Sequence, residues 1–232
     1  MIHNINRRKF IELIGCGCCG LVLPGCTTVP ITNRRQLSIY PEGSINNSAA
    51  KAYENFRSKN KLITSGKQLD AIKEIGNRIE FAVSKFFLQK DGKDPTSHFQ
   101  WDYILVDNKK IKNAWCMPGG KIAVYTGILE VTKNDNALAA VMGHEIAHAV
   151  AKHSVERASQ ALTVNIGSQV ADIFLGGAIS KTRNTIGKSS GMDIFQLGIF
   201  NPFGRKQETE ADYLGLIFSS LAGYDIREAS KL

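Results

Sequence analysis

The chain has 232 residues, with 43% hydrophobic and 22% charged residues and a formal net charge of +8 at pH 7. This balance is typical of one ordinary globular domain. Four of the five cysteines lie within the first 26 residues, which excludes a fold built on a disulfide framework. The basic pairs Arg34-Arg35 and Lys109-Lys110 are too short and scattered for a nucleic-acid track, so they are predicted to be solvated. No nucleic-acid partner is expected.

The amino terminus has the pattern of an export signal. Basic residues at 7–9 precede an apolar stretch from Phe10 to Leu23. This stretch is shorter than the roughly 20 residues of a membrane-spanning helix. We therefore predict a signal peptide over residues 1–25. The pair Arg7-Arg8 fits both the twin-arginine and the general secretory route, and the sequence leaves that choice open.

Cys26 closes the segment Leu23-Pro24-Gly25-Cys26, which resembles a lipobox, the motif whose cysteine is lipid-modified after cleavage. A second match ends at Cys16, but too few apolar residues precede it. Cys26 is therefore the predicted lipid anchor, and the alternative is that it merely lies near a conventional cleavage site. A lipid anchor would make the protein an outer membrane lipoprotein on the periplasmic side of a bacterial membrane, with the membrane surface as a partner.

Residues 26–48 are rich in Thr, Pro, Asn, Ser and Gly, which predicts a mobile tether and leaves residues 49–232 as the folded domain. Apolar periodicity predicts two helices, three strands and two further helices, in chain order at 49–60, 67–88, 99–106, 113–117, 122–125, 135–152 and from near 202 to 223. We expect an α+β fold, mainly helical, with a small antiparallel sheet beside the helix capped by Asp135. The sequence leaves open whether the Gly-rich region 158–200 covers a cleft.

His144, Glu145 and His148 form an H-E-x-x-H motif in the Ala-rich helix predicted at 135–152. Residues four apart lie about 40° apart round a helix and about 6 Å apart along it, so both imidazoles can reach one ion. Glu145 can then reach a water at that ion and act as general base. The motif is short enough to occur by chance. The helix is otherwise apolar, however, and an unpaired carboxylate is costly to bury there, which favours a metal site.

A catalytic zinc site takes three protein ligands and one open position, so a third ligand is expected downstream. Glu208 and Asp212 are four residues apart and share one face of the last helix, whereas Glu210 lies about 200° from Glu208. Glu208 is the predicted third ligand, and Asp212 the predicted hydrogen-bond partner of a ligand histidine. Glu210 is predicted to face solvent or a basic neighbour. His153 is about 140° round the helix from His148 and is expected to stay outside the site.

Three segments, at residues 113–127, 144–153 and 208–215, occur in an order that resembles a family of zinc metallopeptidases. That family includes the prenyl-protein (CAAX) endopeptidases, the HtpX envelope proteases and periplasmic lipoproteins, and residues 30–37 resemble the start of the mature lipoproteins. The resemblance implies a zincin-like fold of the gluzincin class with one Zn2+ per chain. It implies His144, His148 and Glu208 as the ligands, with Glu145 as the base and Asp212 beside a ligand.

The same resemblance implies that a substrate strand lies along the cleft, formed by Asn113, Ala114, Trp115, Cys116 and Met117. Cys116 is expected to be an apolar filler rather than a nucleophile. The implied activity is cleavage of exported or envelope proteins in quality control, with unfolded or damaged polypeptides as substrates. The alternative is a zinc-containing lipoprotein that acts as a chaperone or scaffold without cutting, although an intact Glu145 argues against it.

Overall fold

The computed structural model describes residues 25–174 and 204–232. The helices in these ranges are α1 (Glu42–Lys59), α2 (Lys67–Asp91), α3 (Thr126–Thr132), α4 (Asp135–Val150), α5 (His153–Phe174), α6 (Arg205–Leu221) and a 3-10 helix (Ile226–Lys231). The strands are β1 (Cys26–Thr28), β2 (Arg35–Leu37), β3 (Leu62–Ile63), β4 (Asp102–Val106), β5 (Ala114–Met117) and β6 (Lys121–Tyr125). The predicted α+β, mainly helical class is confirmed. Residues 1–24 of the predicted signal peptide (1–25), and residues 175–200 of the Gly-rich region, lie outside the described ranges.

Helix length and hydropathy bear on membrane insertion. Within residues 25–174 and 204–232, no helix combines the length and the apolar character needed to cross a membrane.

Strands β3 to β6 form one sheet in the spatial order β3-β4-β6-β5. β5 and β6 are antiparallel and are joined by a turn in which Gly119 and Gly120 have left-handed φ angles of 83° and 85°. β4 and β6 are parallel, so the expected small sheet is mixed rather than wholly antiparallel. Apolar alternation shows which face of a strand is buried but not the direction of its neighbour, so the sequence could not reveal this pairing. β5 lies at an edge of this sheet, next to α4.

Helix α2 carries the apolar stripe predicted at 67–88 and continues to Asp91, where Gly92 caps it with a φ of 66°. Phe87 is buried in the place expected for Phe86, which is only partly buried. The stripe packs against β4, α4 and α6, and its buried members are Leu69, Ile72, Ile75, Ile79, Val83 and Phe87. Each such side chain contributes about 1.5–3 kcal/mol on burial. α2 therefore supports the two helices that carry the H-E-x-x-H motif and Glu208.

The boundaries of α4 differ from the prediction at both ends. The side chain of Asn134 accepts a hydrogen bond from the backbone N–H of Ala137 at 2.9 Å, so Asn134 rather than Asp135 is the N-cap. The helix ends at Val150, and Lys152 has a left-handed φ of 57° just before α5 begins. This turn breaks the regular helical geometry that the sequence argument assumed for the residues after Lys152.

Residues 26–48, predicted to be a mobile tether, are folded in the structure. Strands β1 and β2 pair antiparallel within residues 25–40, which we call the amino-terminal hairpin. Val29 is fully buried, and two backbone N–H groups of the hairpin donate to Ser159 Oγ on α5 at 3.0 Å each. The polar composition of the segment concealed these anchors. Residues 42–48 form the first turns of α1, so this helix begins seven residues before the predicted start at 49.

Candidate metal centre and active site

Two glycines allow α4 and α6 to cross in close contact. A Cβ atom at Gly215 on α6 would lie 2.6 Å from the backbone nitrogen of His144, and one at Gly143 on α4 would lie 2.7 Å from the carbonyl oxygen of Gly215. Real Cβ atoms do not approach backbone atoms this closely, so both positions require a residue without a side chain. The close crossing brings the first turn of α6, which contains Glu208, beside the histidines of α4.

The three predicted metal ligands, His144, His148 and Glu208, each direct one ligand atom to a common point. These atoms lie within 4.8 Å of one another. The two Nε2 atoms are 3.0 Å apart, and carboxylate oxygens of Glu208 lie 3.5 Å and 3.7 Å from them. Ligand atoms about 2.0–2.2 Å from a tetrahedral zinc ion are separated from one another by roughly 3.3–3.6 Å. The spacing of the three side chains therefore fits zinc.

The hydrogen bonds at Nδ1 of His144 and His148 give a second test of whether these residues fit a metal ion. Nδ1 of His144 lies 2.8 Å from Asp212 Oδ1, and because a carboxylate only accepts, Nδ1 carries the ring proton. Burial, reinforced by His153, His144 and Arg157, lowers the pKa of His148 to about 2, so the ring of His148 is neutral. A ring that carries its proton on Nδ1 turns its Nε2 lone pair towards the other ring and towards Glu208. Two imidazole nitrogens and a carboxylate are a donor set that zinc binds, so the residues present fit a metal ion.

Glu145 lies beside the ligand group without being part of it. Desolvation and the nearby Glu208 raise the pKa of its carboxyl group to about 8, although a backbone hydrogen bond with Cys116 opposes the shift. A bound cation would favour the ionised form of Glu145. This position is suited to proton transfer next to a metal rather than to metal binding.

The predicted substrate strand corresponds to β5, except that Asn113 precedes the strand. Ala114 and Cys116 belong to the core shared with α4, whereas Trp115 and Met117 pack on the side of α1. Burial raises the pKa of the Cys116 thiol well above its usual value, so this thiol stays protonated at neutral pH and is not a nucleophile. Since the backbone of Cys116 contacts Glu145, β5 lies directly beside the predicted base.

The structure changes the interpretation of three residues near the site. His153 is not in the ligand group, but its Nδ1 lies 2.8 Å from Nδ1 of His148, because the turn at Lys152 redirects the chain. Glu210 is only 7% exposed, and of the two alternatives left open the structure selects the basic neighbour. That neighbour is Arg34, whose Nε donates to Glu210 at 2.7 Å, so Arg34 is an ion-pair partner and not a solvated residue. Nothing local in the sequence indicates a contact between residues so far apart in the chain.

An open cavity of about 530 Å3 adjoins the ligand group. His144 and Asp212 line one side of it. The other side is mainly apolar and is formed by α4, α6 and the carboxyl-terminal end, through Ala140, Val141, Leu216, Ile226 and Leu232. A mainly apolar cavity with a few polar groups at one side is typical of ligand-binding sites.

The crossing helices supply two histidines one turn apart, a glutamate, and an aspartate behind the first histidine, which is the arrangement of a gluzincin metal site. The sequence profile of Peptidase family M48 matches residues 78–232, and the chain belongs to this family.

Several characterised proteins are similar to the chain. Mitochondrial metalloendopeptidase OMA1 of Arabidopsis thaliana is 40% identical over 146 residues, which are 61% of this chain and 28% of the relative. Metalloprotease YcaL of Escherichia coli is 30% identical over 100 residues, 43% of this chain and 37% of the relative. The β-barrel assembly-enhancing protease of Yersinia pestis is 29% identical over 126 residues, 53% of this chain and 25% of the relative. The aligned part of the chain thus spans well under half the length of each of these relatives.

Replacement of Gly215 by alanine tests the helix crossing. The added Cβ would contact the backbone of His144, which cannot move without displacing a predicted metal ligand. We expect Gly215→Ala to lower the free energy of unfolding by about 1–3 kcal/mol, as overpacking typically does. Denaturant unfolding measures the change, and Gly43→Ala, at a helical position with open space around it, is the matched control. Equal unfolding midpoints for Gly215→Ala and the wild type would contradict the close contact.

Proposed function

We propose that the chain is a zinc-dependent endopeptidase that holds one Zn2+ through His144, His148 and Glu208. The observation that carries the proposal is the convergence of two imidazole Nε2 atoms and a carboxylate beside Glu145. Membership of Peptidase family M48 and the names of the metalloendopeptidase relatives support it. When bound, zinc supplies Lewis acidity, which polarises a substrate carbonyl and lowers the pKa of water.

Glu145 is the general base of the proposed mechanism. Its carboxylate accepts a proton from the attacking water and later transfers this proton to the amine that leaves. Asp212 fixes the tautomer and orientation of His144 through the 2.8 Å hydrogen bond to Nδ1. The neighbouring Cys116 backbone holds the carboxyl group of Glu145 at the edge of the sheet.

The substrate is proposed to bind as an extended segment along β5. This strand is at an edge of its sheet and lies beside both α4 and Glu145. An added strand binds through backbone hydrogen bonds, which give affinity with little dependence on side chains. The apolar cavity beside His144 could accept one substrate side chain. These features suit unfolded or damaged polypeptides, and we propose that exported or envelope proteins are the substrates, cut in quality control.

The experiment that tests the function separates cleavage from binding. The purified chain is incubated with unfolded casein, with and without a chelator, and new amino termini are identified by mass spectrometry. The proposal predicts internal cleavage that the chelator abolishes and added zinc restores. Casein that is bound but never cut would instead support a chaperone-like or scaffold protein.

We also propose that the protein belongs to the lipoprotein branch related to the CAAX and HtpX-like peptidases. A lipid on Cys26 would then hold it on the periplasmic side of a bacterial membrane. The basic and apolar pattern of residues 7–23 and the exposed position of Cys26 support this. Cys26→Ser should move the protein from the membrane fraction to the soluble fraction, and Cys16→Ser should leave it in place. A soluble Cys16 variant beside a membrane-bound Cys26 variant would assign cleavage to the earlier cysteine.

A further inference from the structure

A continuous series of hydrogen bonds connects the amino-terminal hairpin to the back of the metal ligand His148. We propose that Arg34 is a positioning residue of the metal site, acting through Glu210 and His153 on the imidazole of His148. The proposal rests on the zinc site described above, and it adds three residues that are not ligands. Arg34 also lies outside residues 78–232, the part of the chain that matches the family profile.

The first step joins His148 to His153. His148 is the buried ligand, with 3% of its surface exposed. Its Nε2 faces the other ligands, and its Nδ1 lies 2.8 Å from Nδ1 of His153. A neutral imidazole has a single N–H, so metal binding through Nε2 requires the proton on Nδ1. His148 therefore donates this hydrogen bond, and His153 accepts it.

The second step joins His153 to Glu210. Because Nδ1 of His153 accepts, its own proton is on Nε2, which lies 3.0 Å from Glu210 Oε2. His153 is fully buried and Glu210 nearly so, which shields this hydrogen bond from water. The hydrogen bonds thus connect the ligand His148 to the carboxylate of Glu210 through the imidazole of His153. Carboxylates behind metal-bound histidines fix the tautomer and the ring orientation of the ligand.

The third step joins Glu210 to Arg34. Nε of Arg34 donates to Glu210 Oε2 at 2.7 Å, while Nη1 and Nη2 donate to the two oxygens of Glu156 at 2.8 Å each. The hydroxyl of Thr32 also donates to Glu210. Glu156 is on α5 and Glu210 on α6, so one planar guanidinium links the helices that carry His153 and the ligand Glu208. It also lies between two buried carboxylates that would otherwise repel each other.

The hairpin determines where Arg34 lies. The backbone N–H of Val29 donates to the carbonyl of Arg34 at 2.8 Å, and the buried side chain of Val29 anchors the turn between β1 and β2. Ile31 and Asn33 in this turn have left-handed φ angles of 70° and 53°. The guanidinium position therefore depends on a folded hairpin, and zinc affinity should depend on a segment distant from all three ligands in sequence.

Arg34→Gln tests the proposal, with Arg35→Gln as the matched control, since Arg35 is the exposed next residue and loses the same charge. Zinc affinity is measured on the folded protein by competition with a chromophoric chelator, and the visible spectrum is recorded after Co2+ substitution. We expect Arg34→Gln to weaken zinc binding about 10–100-fold, the range for partners of metal ligands, and to alter the cobalt spectrum. Arg35→Gln should change neither. A role in folding alone would lower the unfolding temperature of Arg34→Gln and leave both its zinc affinity and its cobalt spectrum as in the wild type, which would overturn the proposal.

A double-mutant cycle tests the path through His153. If Arg34 acts by that path, the Arg34→Gln/His153→Gln protein should bind zinc no more weakly than His153→Gln alone, whereas additive losses would overturn the path.

If Arg34→Gln fails to fold, Thr32→Val is the variant to measure, because it removes one hydrogen bond to Glu210 without changing the charge. It should weaken zinc binding by a smaller factor, and wild-type affinity would overturn the proposal. A wild-type protein that binds no zinc would refute the proposed function itself, which is a distinguishable outcome.

Discussion

Glu145→Gln is expected to lower casein cleavage by at least about 100-fold, the usual contribution of a general base. Glutamine keeps the size of the side chain but cannot accept a proton from water at neutral pH. The carboxyl group of Glu145 is outside the group of converging ligand atoms, so zinc should remain bound at close to one ion per chain. Initial rates of peptide-bond cleavage and the zinc content of the same sample are the two measurements.

A control and two adverse outcomes define this test. Glu130→Gln, at an exposed position on α3, removes the same charge away from the site and should leave both measurements unchanged. Wild-type cleavage by Glu145→Gln would exclude Glu145 as the base. Loss of zinc in this variant would instead assign Glu145 to the metal.

Glu208→Gln is expected to weaken zinc binding by more than about 100-fold, beyond the range found for residues that only orient a ligand. A neutral amide oxygen is a poorer zinc ligand than a carboxylate, and the variant also loses the charge that offsets the cation. Glu208 is positioned by the crossing of α4 and α6, so the substitution need not disturb the helices. Chelator competition measures the affinity.

Asp212→Asn provides the comparison for Glu208→Gln on the same face of α6. Asn can still accept a hydrogen bond from His144 Nδ1 but lacks the negative charge, so a smaller loss, about 10–100-fold, is expected. A Glu208 variant that retains zinc while the Asp212 variant loses it would reverse the assignment of ligand and partner.

The sequence predicts the site best where the functional residues share one helix. His144 and His148 are one turn apart on α4, and Glu208 and Asp212 one turn apart on α6, so helical periodicity alone places each pair on one face. The structure then brings the two pairs together, with the ligand atoms within 4.8 Å. The crossing of α4 and α6 depends on Gly143 and Gly215. A glycine within a predicted helix does not show which other helix will pack against it.

The parts that sequence reasoning missed all depend on contacts between distant elements. The pair Arg34-Arg35 has no charge partner nearby in the chain, which predicts solvated side chains, yet Arg34 bridges Glu156 on α5 and Glu210 on α6. A regular helix through Lys152 keeps His153 away from His148; His153 is indeed outside the ligand group, but the turn at Lys152 brings it into contact with His148. Polar composition predicts a mobile segment before α1, whereas the buried Val29 and the hydrogen bonds to Ser159 anchor a short hairpin there.

We propose that one zinc ion, bound by His144, His148 and Glu208, is required for peptide cleavage. A titration of metal-free protein with zinc tests this requirement when bound zinc and the rate of casein cleavage are followed in the same samples. The proposed mechanism predicts that the rate rises in proportion to bound zinc and reaches its plateau at one ion per chain. Cleavage at full rate by the metal-free protein, or a zinc-loaded protein that cuts no peptide bond, would contradict it.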